Sequence, residues 1–171
     1  MNPLILSCSL SPTSHSAILA RHLESALVAR GHSVTFIDLR DLDLPFCDAT
    51  TCYGHPKVIE LQQTISTADA VTLATPIYNY DVGGATRNLI ALTGQSWNGK
   101  LVGFLCAAGG QNSYMSVMGL ANSLMLDFRC LIVPRFVYAA KSAFTDGQLT
   151  DPQITARLDD LAVELQRLAG V

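Results

Sequence analysis

The chain has 171 residues, 49% of them hydrophobic and 15% charged, with a formal net charge of −3. That length suits one compact domain, and so much apolar material excludes a disordered chain. The absence of a basic run argues against nucleic acid as a partner, and no apolar stretch reaches the roughly 18 residues of a membrane span.

The first apolar run, Leu4-Ile5-Leu6, does not alternate with polar residues. Strands read this way when both faces of their sheet are covered. No positive segment precedes it, so a signal peptide is not expected and a cytoplasmic protein is the default. Next comes SCSLSPTSHS, Ser7 to Ser16, in which serine fills half the positions. Ile18, Leu19, Leu23, Ala26 and Leu27 then share a helix face that Gly31 ends. Val34 to Ile37 reads as a second strand. The segment from Leu42 to Pro56 has no periodicity and contains Cys47, Cys52 and His55. These look like half a metal site, but no second Cys/His pair stands nearby to complete about four ligands. No metal is expected. With five cysteines, an odd number, free thiols in a reducing compartment are the expectation.

A helix stripe of Val58, Leu61 and Ile65 precedes a third strand at Ala70 to Ala74, which Pro76 is expected to end. The loop ATPIYNYDVGGATRN leads into a helix carrying Leu89, Ile90 and Leu92. Leu101 to Cys106 is the fourth strand, followed by CAAGGQNSYMS. The next helix, Met115 to Phe128, places Leu120, Leu124 and Phe128 on one face but is apolar nearly all round. A helix apolar on every side is buried on every side, so a partner copy or the Leu42–Pro56 segment should cover it. Leu131 to Val133 is the fifth strand. Thr150-Asp151-Pro152 opens a closing helix with Ile154, Leu158, Leu161, Leu165 and Leu168 in register.

Strict alternation of strand and helix predicts an α/β fold with a parallel sheet and helices on both faces. Five strands in a single domain over residues 1–171 fit the flavodoxin-like order 2-1-3-4-5. Ligands of such sheets bind at the carboxyl ends of the strands, where strand order reverses. The loops concerned are Ser7 to Ser16, Thr75 to Gly84 and Ala107 to Ser116. In the first, Ser9, Ser11, Ser14, His15 and Ser16 surround a helix N-terminus, which is a ready anion site. The same residues also read as a polar loop in which Ser14 or Ser16 caps the helix. The second loop offers Pro76, Ile77, Tyr78 and Asn79 to a planar aromatic ligand, with Tyr80 at the mouth and Asp81 in the turn. In the third, Gly109 and Gly110 permit close backbone approach and Gln111 supplies donors, although on this loop alone a tight strand-to-helix turn capped by Asn112 or Ser113 is the stronger reading.

Taken together, these stretches resemble the NAD(P)H-dependent FMN reductase family. TPIYNYDVGGATRNLIAL is similar to the family's T-P-x-Y-N segment and the helix after it. AAGGQNS is similar to its glycine-rich loop beside the isoalloxazine. The serine loop corresponds to the family's G-S-x-R-x-x-S loop, with Cys8 in place of Gly, Ser9 and Ser14 matching the serines, and Ser11 where Arg is common. The resemblance implies FMN as cofactor, with phosphate on the first loop and the flavin ring between the other two. It implies NADPH or NADH as co-substrate, with electrons passed to free flavin, a quinone or another small acceptor. It names no catalytic side chain, because flavin carries the chemistry. His15, Arg21 or a partner subunit would then supply the cation missing at Ser11. A homodimer or homotetramer is expected. The alternatives are a flavodoxin-type electron carrier that does not oxidise NAD(P)H, and a quinone or azo-compound reductase on the same fold. A phospho-receiver domain would need acidic residues where Ser7-Cys8-Ser9 and Thr75-Pro76 stand.

Overall fold

The computed structural model describes residues 1–170. Strands β1 (Pro3–Ser7), β2 (Thr35–Asp38), β3 (Ala70–Tyr78) and β5 (Leu101–Ala108) are parallel neighbours in the order β2-β1-β3-β5. A short β4 (Asp81–Val82) folds back antiparallel on the end of β3. The fifth position of the sheet is filled in two pieces. β6 (Leu131–Ile132) pairs with the start of β5 and β7 (Val137–Ala140) with its end. The expected run Leu131–Val133 is therefore only the first half of that strand. Pro134 has no N–H for the ladder, and Arg135 adopts a left-handed φ of 62°, so pairing lapses and resumes at Val137. With β4 set aside, the order is the 2-1-3-4-5 read from the sequence.

Helices α1 (His15–Ala29) and α5 (Pro152–Leu168) cover one face; α2 (Pro56–Thr67), α3 (Gly84–Thr93) and α4 (Met118–Phe128) cover the other. The strands feed both layers by alternation. Leu4, Leu6, Val71, Leu73, Val102 and Phe104 point to the α2–α4 side, while Ile5, Ala70, Ala74, Leu101 and Leu105 point to the α1/α5 side. This is why the strands read as unbroken apolar runs. Ser14 caps α1, accepting from Ala17 N at 3.1 Å, and Asp151 caps α5 with Pro152 in its first turn. A small hairpin, β8 (Phe144–Thr145) and β9 (Gln148–Leu149), joins β7 to α5.

Three local expectations change. Pro76 does not end β3: it pairs with Ala107 and the strand runs on to Tyr78. The β1 register ends opposite Ala74, so beyond it Pro76 has a ladder partner in β5 alone, as in an edge strand. The helix read from Met115 begins as a tight 3₁₀ turn, Tyr114–Val117, and becomes α-helical at Met118. The segment from Leu42 to Pro56 anchors on α3 rather than on α4. Asn88 accepts from Cys47 N and donates to the Pro45 carbonyl, both at 2.9 Å. The outer side of α4 stays exposed, with Leu126 at 83% and Met115, Met118 and Met125 also open.

Candidate functional site

The serine loop is built from buried hydroxyls. Ser9, Ser14 and Ser16 are all buried although each carries a polar group. Ser14 and Ser16 share a hydrogen bond of 3.0 Å, and Ser9 Oγ accepts from Ser11 N at 3.3 Å. Ser11 Oγ in turn accepts from Thr13 N at 3.3 Å. These bonds fold the loop into a concave turn before α1. The backbone N–H groups of His15 and Ser16, the first two of the helix, make no hydrogen bond to any described residue. Unpaired N–H groups at the positive end of a helix favour an anion.

On the neighbouring strand, Tyr78-Asn79-Tyr80-Asp81 forms a two-residue hairpin turn between β3 and β4. Asn79 and Tyr80 both take left-handed conformations, φ 50° and 66°. Such a turn matches the twist of the strands, but a bulky ring at the second position is strained. It leaves Tyr78 and Tyr80 exposed at the rim, 57% and 59%. Asp81 accepts from Val82 N at 2.7 Å and from Arg87 at 2.9 Å, which fixes the turn to α3. A buried Thr75–Thr86 hydroxyl pair at 2.7 Å makes a second tie. Gly83 is required for space rather than for turning: a Cβ there would stand 3.0 Å from Pro76 Cγ. The third loop is held by Tyr138, whose hydroxyl donates to the Gly110 carbonyl.

These pieces enclose a cleft of about 300 Å³ at the carboxyl ends of β1, β3 and β5. Nine of the sequence-named residues line it: Ser9, Ser11, Ser14, His15, Ser16, Pro76, Ile77, Tyr78 and Gly109. Asn79, Gly110 and Gln111 lie on the exposed loops beside it and do not line it. Thr13, Ala107, Ala108 and Lys141 line it without having been singled out. Lys141 is the only lysine or arginine among the lining residues. It arrives from the end of β7, the strand half hidden behind Pro134, so sequence spacing gave no hint of it. Arg21 is engaged elsewhere, bonded to Glu24 at 2.8 Å and stacked 3.4 Å above the Phe36 ring. His15 stacks on Phe144 at 4.2 Å, which sets its ring at the edge of the cleft. A larger cavity of about 540 Å³ lies between α5 and the gap in the edge strand, lined by Arg135, Phe136, Arg157 and Glu164 among others. Tyr114, from the end of the third loop, also lines it, but the cavity shares no lining residue with the serine-loop cleft.

The serine loop is also braced from β2. Asp38, 7% exposed, pairs with Arg40 at 2.6 Å, and the Arg40 guanidinium reaches the Ser11 and Pro12 carbonyls at 3.4 Å. Burial alone would raise the Asp38 pKa, but hydrogen bonds and charge from Arg40 override it and hold the carboxyl below its ordinary value. A lowered folded pKa means that Asp38 stabilises the fold above its unfolded pKa of about 4, and that this contribution is lost as pH falls through the lower, folded value. Asp38→Asn should therefore cost about 1–2 kcal/mol at pH 7, modest because Arg40 keeps contact with solvent. The difference in urea midpoint between parent and variant should shrink as pH is taken from 7 to 3.

The residues present fit FMN. Free N–H groups, buried hydroxyls and Lys141 suit its phosphate. A Cβ built on Gly109 or Gly110 meets no protein atom within 4 Å, so a flat ring can approach that backbone. An anion cradle at the switch point of a doubly wound sheet defines a flavodoxin-like nucleotide binder. More narrowly, the chain belongs to the NADPH-dependent FMN reductase family, whose sequence model matches residues 1–145. It is an NAD(P)H-dependent flavin oxidoreductase with FMN as cofactor. An NAD(P)H-dependent FAD/FMN reductase of Geobacillus thermodenitrificans is 31% identical over 138 residues, covering 77% of this chain and 73% of the relative. An NAD(P)H:quinone oxidoreductase of Solanum tuberosum is 28% identical over 148 residues, covering 81% and 76%. The crystal structure of an oxidoreductase from Corynebacterium diphtheriae superposes with a TM-score of 0.82 at 24% identity, covering 99% of this chain and 97% of that one. No helix among the described residues is long and apolar enough to cross a membrane.

Proposed function

We propose that residues 1–171 act as a single FMN-binding domain in which NAD(P)H is oxidised at the cleft and the electrons pass to free flavin or a quinone. The observation that carries this reading is the convergence of the α1 N-terminus, the buried serines and the open Gly109 backbone on one cleft, in a chain of the FMN reductase family. Bound flavin supplies the redox chemistry. The protein's part is binding and orientation. Ser9, Ser11, Ser14, Ser16 and the His15 and Ser16 N–H groups take the phosphate, with Lys141 and His15 at its edge. Pro76, Ile77, Tyr78 and Asn79 take one side of the ring, and Gly109, Gly110 and Gln111 the other. Tyr78 and Tyr80, exposed at the rim, shape the place where a nicotinamide stacks. Lys141 supplies in this chain the cation that Ser11 lacks. A quinone as acceptor is favoured by the similarity to quinone oxidoreductases, and free flavin by the similarity to the FAD/FMN reductase. Five free thiols and the dependence on NAD(P)H support a cytoplasmic setting.

The test is direct. Protein reconstituted with FMN should oxidise NADH or NADPH with FMN, a quinone, ferricyanide or an azo dye as acceptor. If the folded, FMN-loaded protein oxidises neither nucleotide with any of them, the electron-carrier reading replaces this one.

The exposed side of α4 supports a homodimer or homotetramer. Met115, Met118, Met125 and Leu126, with Leu131 on the adjoining edge strand, form an apolar surface that the Leu42–Pro56 segment leaves open. Sedimentation at micromolar concentration should give a dimer or tetramer. Leu126→Glu, which buries a charge in any interface built there, should shift it to monomer without lowering the melting temperature of the monomer itself.

A further inference from the structure

Two thiols stand together on the outer segment between β2 and α2 and take no part in the chemistry above. Cys47 is half-buried, and its sulfur lies 3.9 Å from that of Cys52, which is buried. The Tyr53 hydroxyl is 3.6 Å from Cys47 Sγ, within reach to donate to a thiolate. Asp48 organises the turn: its carboxylate accepts from Thr50 N, Cys52 N and the Thr51 hydroxyl at 2.9, 3.1 and 2.6 Å. This fixes Cys52 directly behind Cys47. No residue that lines the serine-loop cleft comes from this segment, so the pair can be read independently of flavin binding.

We propose that Cys47 and Cys52 are a redox-active dithiol that a hydroperoxide converts to an intrachain disulfide. The Cys47 thiolate sulfur attacks the terminal oxygen of the hydroperoxide. The O–O bond breaks, the alcohol (or water) leaves with a proton, and Cys47 becomes a sulfenic acid. The Cys52 sulfur then attacks Cys47 Sγ as its own proton is lost. The S–O bond breaks, the hydroxyl takes a proton and leaves as water, and the S–S bond forms. Two thiols have lost two electrons and the hydroperoxide has gained them. The sulfurs must close from 3.9 Å to about 2.05 Å, which side-chain rotation on a surface segment can supply.

The assignment of roles follows from surroundings. The Tyr53 hydroxyl and the Ala49 backbone N–H hold the Cys47 thiol below its ordinary pKa, whereas burial raises that of Cys52. Low pKa and solvent access mark the attacking thiol, and the buried neighbour resolves it. The other three cysteines are shielded. Burial pushes Cys8 and Cys106 up to about 12 and Cys130 to about 11. Oxidation should therefore stop at one pair.

The test is to treat the purified FMN-loaded protein with hydrogen peroxide or tert-butyl hydroperoxide and count thiols after denaturation. Five free thiols should fall to three, with the chain lighter by two hydrogen atoms and a Cys47–Cys52 peptide linkage that dithiothreitol reverses. Cys47→Ser should slow thiol loss at least about tenfold, and Cys52→Ser should leave a dimedone-reactive sulfenic acid at Cys47. Retention of all five thiols in the parent protein overturns the proposal. So does a linkage between chains instead of within one, or thiol loss at the parental rate in Cys47→Ser.

Discussion

Gly109→Val should bind FMN about tenfold to hundredfold more weakly than the parent protein while unfolding at an unchanged temperature. Gly109 lines the cleft, and a Cβ there meets no protein atom within 4 Å. Its φ is not in the left-handed region, so a branched side chain costs the backbone nothing special. Removing a glycine from an exposed turn even restricts the unfolded chain slightly. The cost falls on whatever occupies the space in front of the backbone. Forcing extra methyl groups into a packed contact costs about 1–3 kcal/mol, which is the tenfold to hundredfold range. Fluorescence titration with FMN and a thermal melt of the flavin-free protein measure the two halves separately. Parental FMN affinity in the folded variant would remove the flavin from this loop.

That prediction rests on a loop whose position was legible in the sequence and whose geometry was not. Leu101–Cys106 has no polar alternation because Val102 and Phe104 feed one helix layer and Leu101 and Leu105 the other. Such runs reveal a doubly covered sheet, and the order of runs then singles out three loops at the carboxyl ends as the expected ligand site. Helix stripes were equally clear: Leu120, Leu124 and Phe128 are the buried side of α4, as their spacing requires. What periodicity cannot carry is anything set by the chain's return from a distance. Val137–Ala140 is too short and too small in its side chains to declare itself a strand after Pro134, yet it completes the sheet edge and delivers Lys141 to the cleft. Tyr138 looks like another apolar core residue, and only the fold shows its hydroxyl holding Gly110. Arg40 reads as a surface charge until Asp38 turns it toward the Ser11 and Pro12 carbonyls. Local signals also misled where a partner strand decided the outcome. Pro76 would break a strand flanked on both sides, but β1 stops opposite Ala74 and the strand continues into the tyrosine hairpin.

The combined variant Ser9→Ala/Ser14→Gly should lose most of the preference for FMN over riboflavin. The two ligands differ only by the phosphate, so their affinity ratio isolates the serine loop from contacts to the ring. Each hydroxyl that hydrogen-bonds a charged phosphate contributes about 1.5–3 kcal/mol, and removing two should lower FMN affinity by at least about tenfold even where water replaces part of the loss. Riboflavin affinity should be nearly unchanged. Glycine rather than alanine is chosen at position 14 because Ser14 also caps α1 through Ala17 N, a contact of 3.1 Å. Alanine at a cap costs about 0.5–2 kcal/mol of stability, glycine only a few tenths, so the helix start and its free N–H groups survive. Those N–H groups and Lys141 remain in the variant and keep some anion attraction, which is why a reduced preference is expected and not its abolition. A salt titration separates the contributions. What remains in the variant is the charge of Lys141 and the helix end, and it should weaken further as ionic strength rises. If FMN and riboflavin affinities fall in parallel instead, the serines shape the loop without touching the phosphate. If neither changes in the folded variant, the phosphate lies elsewhere, and the placement of FMN against α1 fails with it.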